Sequence, residues 1–161
     1  MSQGQLKVLA VDDEQPQLQD LARLLRESPA VDSVECAQDG RDALVKLSSQ
    51  PFDAIFLDVR MPDLDGLELA RVLRRFATPP QLVFVSAYEG AAVDAFELHA
   101  LDYLLKPVGR GRLQEALDRV AAATQVATTT TGEPAPQRAP RNGSDTEIVA
   151  VANVRSPGST R

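Results

Sequence analysis

DAIFLDVRMPDLDG (residues 53–66) joins a short, almost continuous apolar run to an aspartate and then to a segment rich in Asp and Pro that ends in Gly. An apolar run of this kind is typical of a parallel strand that is covered on both faces. Asp65 and Gly66 are suited to the start of a following helix. The stretch therefore predicts a strand, a loop that carries Asp58, and then a helix.

The same alternation continues on both sides of this stretch. Four further apolar runs predict strands, namely LKVLAV (6–11), VDSVECA (31–37), QLVFVS (81–86) and LDYLLK (101–106). Between and after the runs, helical spacing predicts five buried helix faces: Leu18, Leu21, Leu24 and Leu25; Ala43, Leu44 and Leu47; Leu67, Ala70, Leu73 and Phe76; Val93, Phe96 and Leu98; Leu113, Leu117 and Val120. Five strands alternating with five helices predict an α/β fold with a parallel sheet between two helical layers.

The composition changes near residue 124. Residues 1–123 are predicted to form the folded domain, whereas 124–145 are rich in Thr, Pro, Gly and Ala and predict a flexible linker. Residues 146–161 contain one strand-like alternation, and a lone strand cannot fold by itself. We therefore expect 146–161 to be a disordered tail or the start of a truncated output domain.

The charge and hydropathy exclude two classes of partner for the folded part. Residues 1–123 carry 13 Lys and Arg against 20 Asp and Glu. An acidic domain binds nucleic acid poorly, because that affinity comes largely from cations that neutralise phosphates. No apolar stretch is long enough to cross a membrane, and the first residues lack the apolar region of a signal peptide. The expected compartment is the cytoplasm, without membrane contact.

Residues with chemical potential end four of the predicted strands: Asp12 and Asp13, then Asp58, Ser86 and Lys106. In open parallel sheets the ligand site lies beyond the carboxyl ends of the strands, so these residues should converge. Two carboxylates about 4 Å apart repel by roughly 4 kcal/mol at an effective dielectric of about 20. A hard divalent cation relieves that repulsion, and Mg²⁺ prefers such oxygen ligands. The pattern predicts a Mg²⁺ site.

The same residues have the properties needed for phosphoryl transfer. Asp58 can act as a carboxylate nucleophile and form an acyl phosphate. Lys106 supplies a cation for one phosphoryl oxygen, and Ser86 a hydroxyl donor for another. These three are the candidate catalytic residues.

Four motifs resemble the receiver domain of two-component response regulators over residues 6–123: V-D-D-E (11–14), L-D-V-R-M-P-D-L-D-G (57–66), V-S-A (85–87) and D-Y-L-L-K-P (102–107). The resemblance implies a flavodoxin-like, doubly wound (βα)5 fold with strand order 2-1-3-4-5. It implies that Asp58 is the phosphorylation site and that Asp12, Asp13, Asp58 and the backbone carbonyl of Arg60 hold Mg²⁺.

The resemblance also assigns a switch. It implies that Ser86 and Lys106 grip the phosphoryl group, that Tyr103 turns inward on activation, and that the Lys106–Pro107 bond is cis. Arg60 and Tyr88 lie two residues after Asp58 and Ser86, so we hypothesise that they flank the path of attacking water and tune the lifetime of the acyl phosphate.

F-E-L-H-A-L-D-Y-L-L-K-P (96–107) looks like receivers of LytTR-type (LytR/AlgR-like) regulators, whose output is a DNA-binding domain. The implied partner is a sensor histidine kinase, and the implied output is transcription. A phosphorylation-dependent homodimer through helices four and five is a further expectation. We expect contact with DNA only through an output domain that these residues do not include.

Three alternatives remain at this point. A haloacid-dehalogenase-like aspartyl phosphatase also uses an aspartyl nucleophile and Mg²⁺, but its D-x-D would end strand one, where this chain has D-D-E. A flavodoxin-like or nucleotide-binding module needs a phosphate-cradling loop there, which the acidic residues disfavour. A receiver-like scaffold that works without phosphorylation is the third. We expect a signalling phospho-acceptor that catalyses only its own phosphorylation and dephosphorylation.

Overall fold

A computed structural model of the chain describes residues 6–132. Five strands and five helices alternate along it: β1 Leu6–Val11, α1 Gln15–Glu27, β2 Val31–Ala37, α2 Gly40–Ser49, β3 Ala54–Leu57, α3 Gly66–Leu73, β4 Gln81–Ser86, α4 Ala92–Glu97, β5 Asp102–Leu105 and α5 Arg110–Gly132. A 3₁₀ turn, Glu89–Ala91, leads into α4. None of these helices is long and apolar enough to span a bilayer.

The strands form one parallel sheet in the order β2-β1-β3-β4-β5, which confirms the predicted fold. All four residues of β3 are buried, because helices cover both faces of this central strand. One hydrophobic cluster packs against α2, α3 and α4, and the other against α1 and α5. The two layers leave the carboxyl ends of the strands at one edge of the sheet.

Local signals in the sequence explain where two helices begin. The carboxylate of Asp65 accepts the Glu68 N–H at 2.9 Å, and the Glu68 carboxylate accepts the Asp65 N–H at 3.0 Å. This reciprocal capping box satisfies two N–H groups that the first turn leaves without partners. Asp39 caps α2 by accepting the Asp42 N–H at 2.8 Å. The predicted start of α3 at Asp65 is therefore confirmed, and Asp39 provides the corresponding cap of α2.

The prediction for the fourth helix face was wrong. Val93 and Phe96 are 69% and 52% exposed, whereas Ala91 and Ala95 are buried against the sheet. These alanines are four residues apart and so share one face. α4 has six residues, too few for its apolar spacing to distinguish the buried face from the exposed one. On α3 the helix ends at Leu73, so the half-buried Phe76 lies beyond it.

The first part of the predicted linker is helical. α5 continues to Gly132, so the backbone of residues 124–132 is helix where the sequence predicted a flexible connection. An existing helix extends more easily than a new one forms, even through Thr-rich sequence, because nucleation is the expensive step. Residues 133–145, and the tail or output segment at 146–161, lie outside the described part. The domain boundaries stay a prediction.

Candidate functional site

The buried carboxylates Asp12 and Asp58 directly follow the neighbouring strands β1 and β3. Asp12 is 2% exposed and Asp58 is 7% exposed. Backbone hydrogen bonds extend the sheet at this point, with the Asp58 N–H donating to the Val11 carbonyl at 3.0 Å and the Asp12 N–H to the Ala37 carbonyl at 3.2 Å. The sheet therefore holds both carboxylates at a fixed position beyond its central strands.

Asp12, Asp13 and Asp58 form an acidic cluster in which one carboxylate oxygen from each residue lies within 4.8 Å of the others. Oxygen donors at this spacing suit a hard divalent cation, and Mg²⁺ in particular combines a few carboxylates with water and phosphate oxygens. The residues present therefore fit the predicted metal. The backbone carbonyl of Arg60, the fourth predicted ligand, stays a prediction.

Burial raises the pKa of the Asp58 carboxyl to about 6, and repulsion from Asp12 adds to this effect. The Lys106 cation lowers the pKa, Asp13 raises it, and a backbone hydrogen bond from Arg60 lowers it. The desolvated, like-charged environment thus disfavours the ionised form, which is the form that can act as a nucleophile. A cation in the cluster would restore it.

Lys106 joins the end of β5 to the acidic cluster. Its ammonium lies 2.7 Å from Asp12 Oδ2 and 3.8 Å from Asp58 Oδ1, and its backbone N–H donates to the Ser86 carbonyl at 2.9 Å. The Lys106–Pro107 bond is cis, as predicted. The structure therefore brings together Asp12, Asp58 and Lys106 from three different strand ends, and joins Lys106 to the backbone of Ser86.

Tyr88, in the loop after β4, contacts both predicted switch residues. The Ser86 hydroxyl accepts the Tyr88 N–H at 3.0 Å, and the Tyr103 hydroxyl donates to the Tyr88 carbonyl. The Tyr103 ring is buried, with its centroid 6.1 Å from that of Phe84. Tyr103 therefore points inward in this structure, and its proposed movement stays a prediction.

The Arg60 guanidinium lies over the Tyr88 ring, 3.8 Å from its centroid. The sequence predicted that both residues flank the path of attacking water, which stays a prediction; the structure shows that they stack on each other. A guanidinium over an aromatic face is attracted by the ring quadrupole. The stack links the loop after β3 to the loop after β4.

Sequence reasoning missed two contributions near the site. Gly66 was predicted as part of a helix start, but a Cβ at this position would lie 2.1 Å from the Asp58 carbonyl oxygen. Gln17 had no predicted role, but its side chain accepts a hydrogen bond from the Lys106 ammonium. The position of Gly66 directly after the Asp65 cap was a weak signal for the close approach to Asp58. The sequence contained no signal for the hydrogen bond between Gln17 and Lys106.

The buried Asp102 at the start of β5, with two partly exposed arginine partners, was also missed. Asp102 is 3% exposed and accepts bonds from Arg112 at 2.6 and 2.9 Å, from Arg119 at 2.7 Å, and from the Tyr103 N–H at 2.9 Å. Burial raises the pKa of Asp102, but the Arg112 hydrogen bond and the other partners outweigh it and hold this pKa below its usual value. These ion pairs fasten α5 to the edge strand.

Comparison with known proteins identifies the domain. Residues 8–118 match the family model described as the response regulator receiver domain. The chain belongs to this family. The receiver is 42% identical over 120 residues to the transcriptional regulatory protein YpdB of Escherichia coli, covering 74% of this chain and 49% of that protein. It is 39% identical over 118 residues to the sensory transduction protein LytR of Staphylococcus epidermidis, covering 73% and 47%.

The receiver thus spans about half the length of the curated relatives that it matches. Among solved structures it resembles the response regulatory domain of MrkE from Klebsiella pneumoniae, with a TM-score of 0.70 and 39% identity, covering 75% of this chain and 99% of that one. These relatives confirm the predicted likeness to LytTR-type regulators. They identify a signalling domain rather than a metabolic enzyme.

Proposed function

We propose that this receiver accepts a phosphoryl group on Asp58 from a sensor histidine kinase, with Mg²⁺ held by Asp12, Asp13 and Asp58. The observation that carries the proposal is the geometry of the pocket. Three carboxylates meet within 4.8 Å, and the Lys106 ammonium lies 3.8 Å from the predicted nucleophile. Carboxylates from two strand ends, with a cation from a third strand end beside them, suit a phosphoryl-transfer site.

In the proposed reaction, an Asp58 carboxylate oxygen attacks the phosphorus of a phosphohistidine. The new O–P bond forms as the P–N bond breaks, and the bonding pair stays on the imidazole nitrogen, which takes up a proton. Bound Mg²⁺ would supply positive charge to the transferring phosphoryl oxygens. Lys106 needs a small movement from Asp12 to pair with one of those oxygens, because it already lies beside Asp58.

The switch would begin at Ser86. Its hydroxyl accepts the Tyr88 N–H in this structure, and turning the hydroxyl to donate to a phosphoryl oxygen would release that bond. The Tyr103 hydroxyl donates to the Tyr88 carbonyl. A movement of the loop after β4 would therefore also move Tyr103. Phosphorylation would thereby change the populations of two arrangements of the α4-β5-α5 surface.

The exposed apolar side chains of α4 and β5 support a homodimer formed on phosphorylation. Val93 and Phe96 of α4 and Leu105 of β5 are all large and exposed. Covering such apolar side chains with another protein surface lowers the free energy. We propose that a second copy covers it and that the output is control of transcription, in keeping with the printed name of YpdB.

A direct experiment measures intact mass after incubation with acetyl phosphate and Mg²⁺. We expect one phosphoryl adduct per chain, and none when a chelator removes the metal, because the carboxylates then repel the incoming phosphate. Parallel assays with a small phosphate ester test the alternative phosphatase. Sustained turnover of the ester, or no adduct even with histidine kinases supplied, would contradict the proposal.

The Arg60–Tyr88 stack is expected to prolong the life of the acyl phosphate by shielding it from water. Arg60→Ala and Tyr88→Ala should each speed hydrolysis of the phosphorylated protein by about fivefold, in line with the strength of an exposed cation–π contact. The decay of the adduct after removal of the phosphodonor measures this rate.

Two further variants serve as controls for the measurement of the decay rate. Arg71 is exposed on α3, and Arg71→Ala should leave the decay unchanged. The double variant Arg60→Ala/Tyr88→Ala should decay at about the rate of either single variant, because both substitutions remove the same contact. An unchanged rate in both single variants would rule out the shielding role.

A further inference from the structure

The ammonium of Lys106 is held on the α1 side of the pocket. It lies 2.7 Å from Asp12 Oδ2 and donates to Gln17 Oε1, whereas Asp58 Oδ1 is 3.8 Å away, beyond hydrogen-bond distance. Two of the three ammonium protons are therefore directed away from the predicted nucleophile. One of the two acceptors, Gln17, lies outside the acidic cluster.

A second hydrogen bond orients the Gln17 amide. Gln17 lies in the first turn of α1, and its Nε2 donates to Glu14 Oε1. An amide that donates through nitrogen to a carboxylate presents its oxygen on the other side. That oxygen meets Lys106. The Glu14–Gln17–Lys106 chain is thus ordered so that each donor faces an acceptor.

We propose that Gln17 is a positioning residue that holds Lys106 beside Asp12 until a phosphoryl group arrives. This inference rests on the proposed function, because it concerns the group that Lys106 is to bind. When Asp58 is phosphorylated, a phosphoryl oxygen replaces Gln17 as a partner of the ammonium. Gln17 therefore stabilises the unphosphorylated arrangement, and its removal favours the transfer.

The kinetic test replaces Gln17 with Met, which keeps the length and helix propensity of the side chain but removes the acceptor. The rate constant for phosphorylation by acetyl phosphate at saturating Mg²⁺ should rise about fivefold, the value of one modest hydrogen bond. Gln19 lies on the same helix and is exposed, so Gln19→Met should leave the rate unchanged. In a Lys106→Met background, Gln17→Met should also have no effect, because its partner is gone.

A second readout does not depend on phosphoryl transfer. The chain has three lysines, Lys7, Lys46 and Lys106, so the ammonium signals in a cold ¹H–¹⁵N spectrum are assigned with Lys106→Met. In metal-free protein, proton exchange of the Lys106 ammonium should be about fivefold faster in Gln17→Met than in wild type or Gln19→Met, since one acceptor is lost.

The two readouts separate the two proposals. If wild-type protein takes up no phosphoryl group, the proposed function fails, and the exchange rate still decides whether Gln17 holds Lys106. An unchanged exchange rate in Gln17→Met overturns the positioning role. A faster phosphorylation that persists in the Lys106→Met background overturns it as well, because the effect then does not pass through Lys106.

Discussion

Asp58→Asn should raise the free energy of unfolding of the metal-free protein at about pH 8 by roughly 1–2 kcal/mol, while it removes the proposed phosphoryl acceptor. Burial and the neighbouring Asp12 raise the pKa of Asp58 to about 6, so its charged form is costly in the folded state. The expected gain is smaller than the full shift implies, because solvent screens part of the repulsion.

The gain should depend on pH with a definite sign. Asp58 has a folded pKa of about 6 against an ordinary value of 3.8. Between these values the folded protein retains a proton that the unfolded chain releases, so this group makes wild type less stable as the pH rises through that window. Above it, both states are ionised and the full cost remains. The advantage of Asp58→Asn should therefore be largest above pH 6 and vanish towards pH 4.

Urea unfolding with a chelator present, at several pH values, measures both effects. Glu97→Gln makes a similar change of charge at an exposed position of α4 and should show neither. Added Mg²⁺ should stabilise wild type and act much less on Asp58→Asn, because a ligand that binds the folded state stabilises it. A variant less stable than wild type above pH 6 would contradict the repulsion that we assign to this cluster.

Gly66→Ala should destabilise the protein by about 3 kcal/mol, at the upper end for overpacking. The new Cβ would lie 2.1 Å from the Asp58 carbonyl oxygen and 2.9 Å from the Val59 Cα, and both are backbone atoms that cannot rotate away. The start of α3 would have to move from β3 and lose the bond from the Gly66 N–H to the Val59 carbonyl, which is 2.8 Å long. Phosphoryl uptake should fall as well, because the displaced backbone belongs to Asp58.

The matched control is Gly111→Ala, in the first turn of α5. A Cβ at Gly111 meets no atom within 4 Å, so this substitution should be neutral or stabilising by about 0.5 kcal/mol through helix propensity. Thermal or urea unfolding of the two variants provides the comparison. Equal stability of Gly66→Ala and wild type would show that α3 does not depend on this close approach.

The parts of the fold that the sequence predicted best are those with strong local signals. The apolar runs at 6–11, 31–37 and 81–86 match β1, β2 and β4 residue for residue. The carboxylates were found because parallel strands bring their carboxyl ends to one edge, so a strand end followed by Asp is informative. The prediction of the buried face of α4 was wrong because small alanines pack closest to the sheet there.

The contacts that sequence reasoning missed join residues far apart in the chain. Gln17 and Lys106 are 89 residues apart, and Asp102 meets Arg119 seventeen residues later on another element. Neither the polar spacing of α1 nor that of α5 indicates which side chain bends towards a neighbour. Such partners depend on how helices pack on the finished sheet, which a local pattern does not specify.

The most direct test of the central proposal is to locate the phosphoryl group in the chain. Protein treated with acetyl phosphate and Mg²⁺ is reduced with borohydride, which converts an aspartyl phosphate to homoserine, and is then digested and sequenced by tandem mass spectrometry. We predict homoserine at position 58, Mg²⁺-dependent and absent from Asp58→Asn. Reduction at Asp12 or Asp13 instead, or at no carboxylate while Mg²⁺ is bound, would contradict the assignment of Asp58 as the phospho-acceptor.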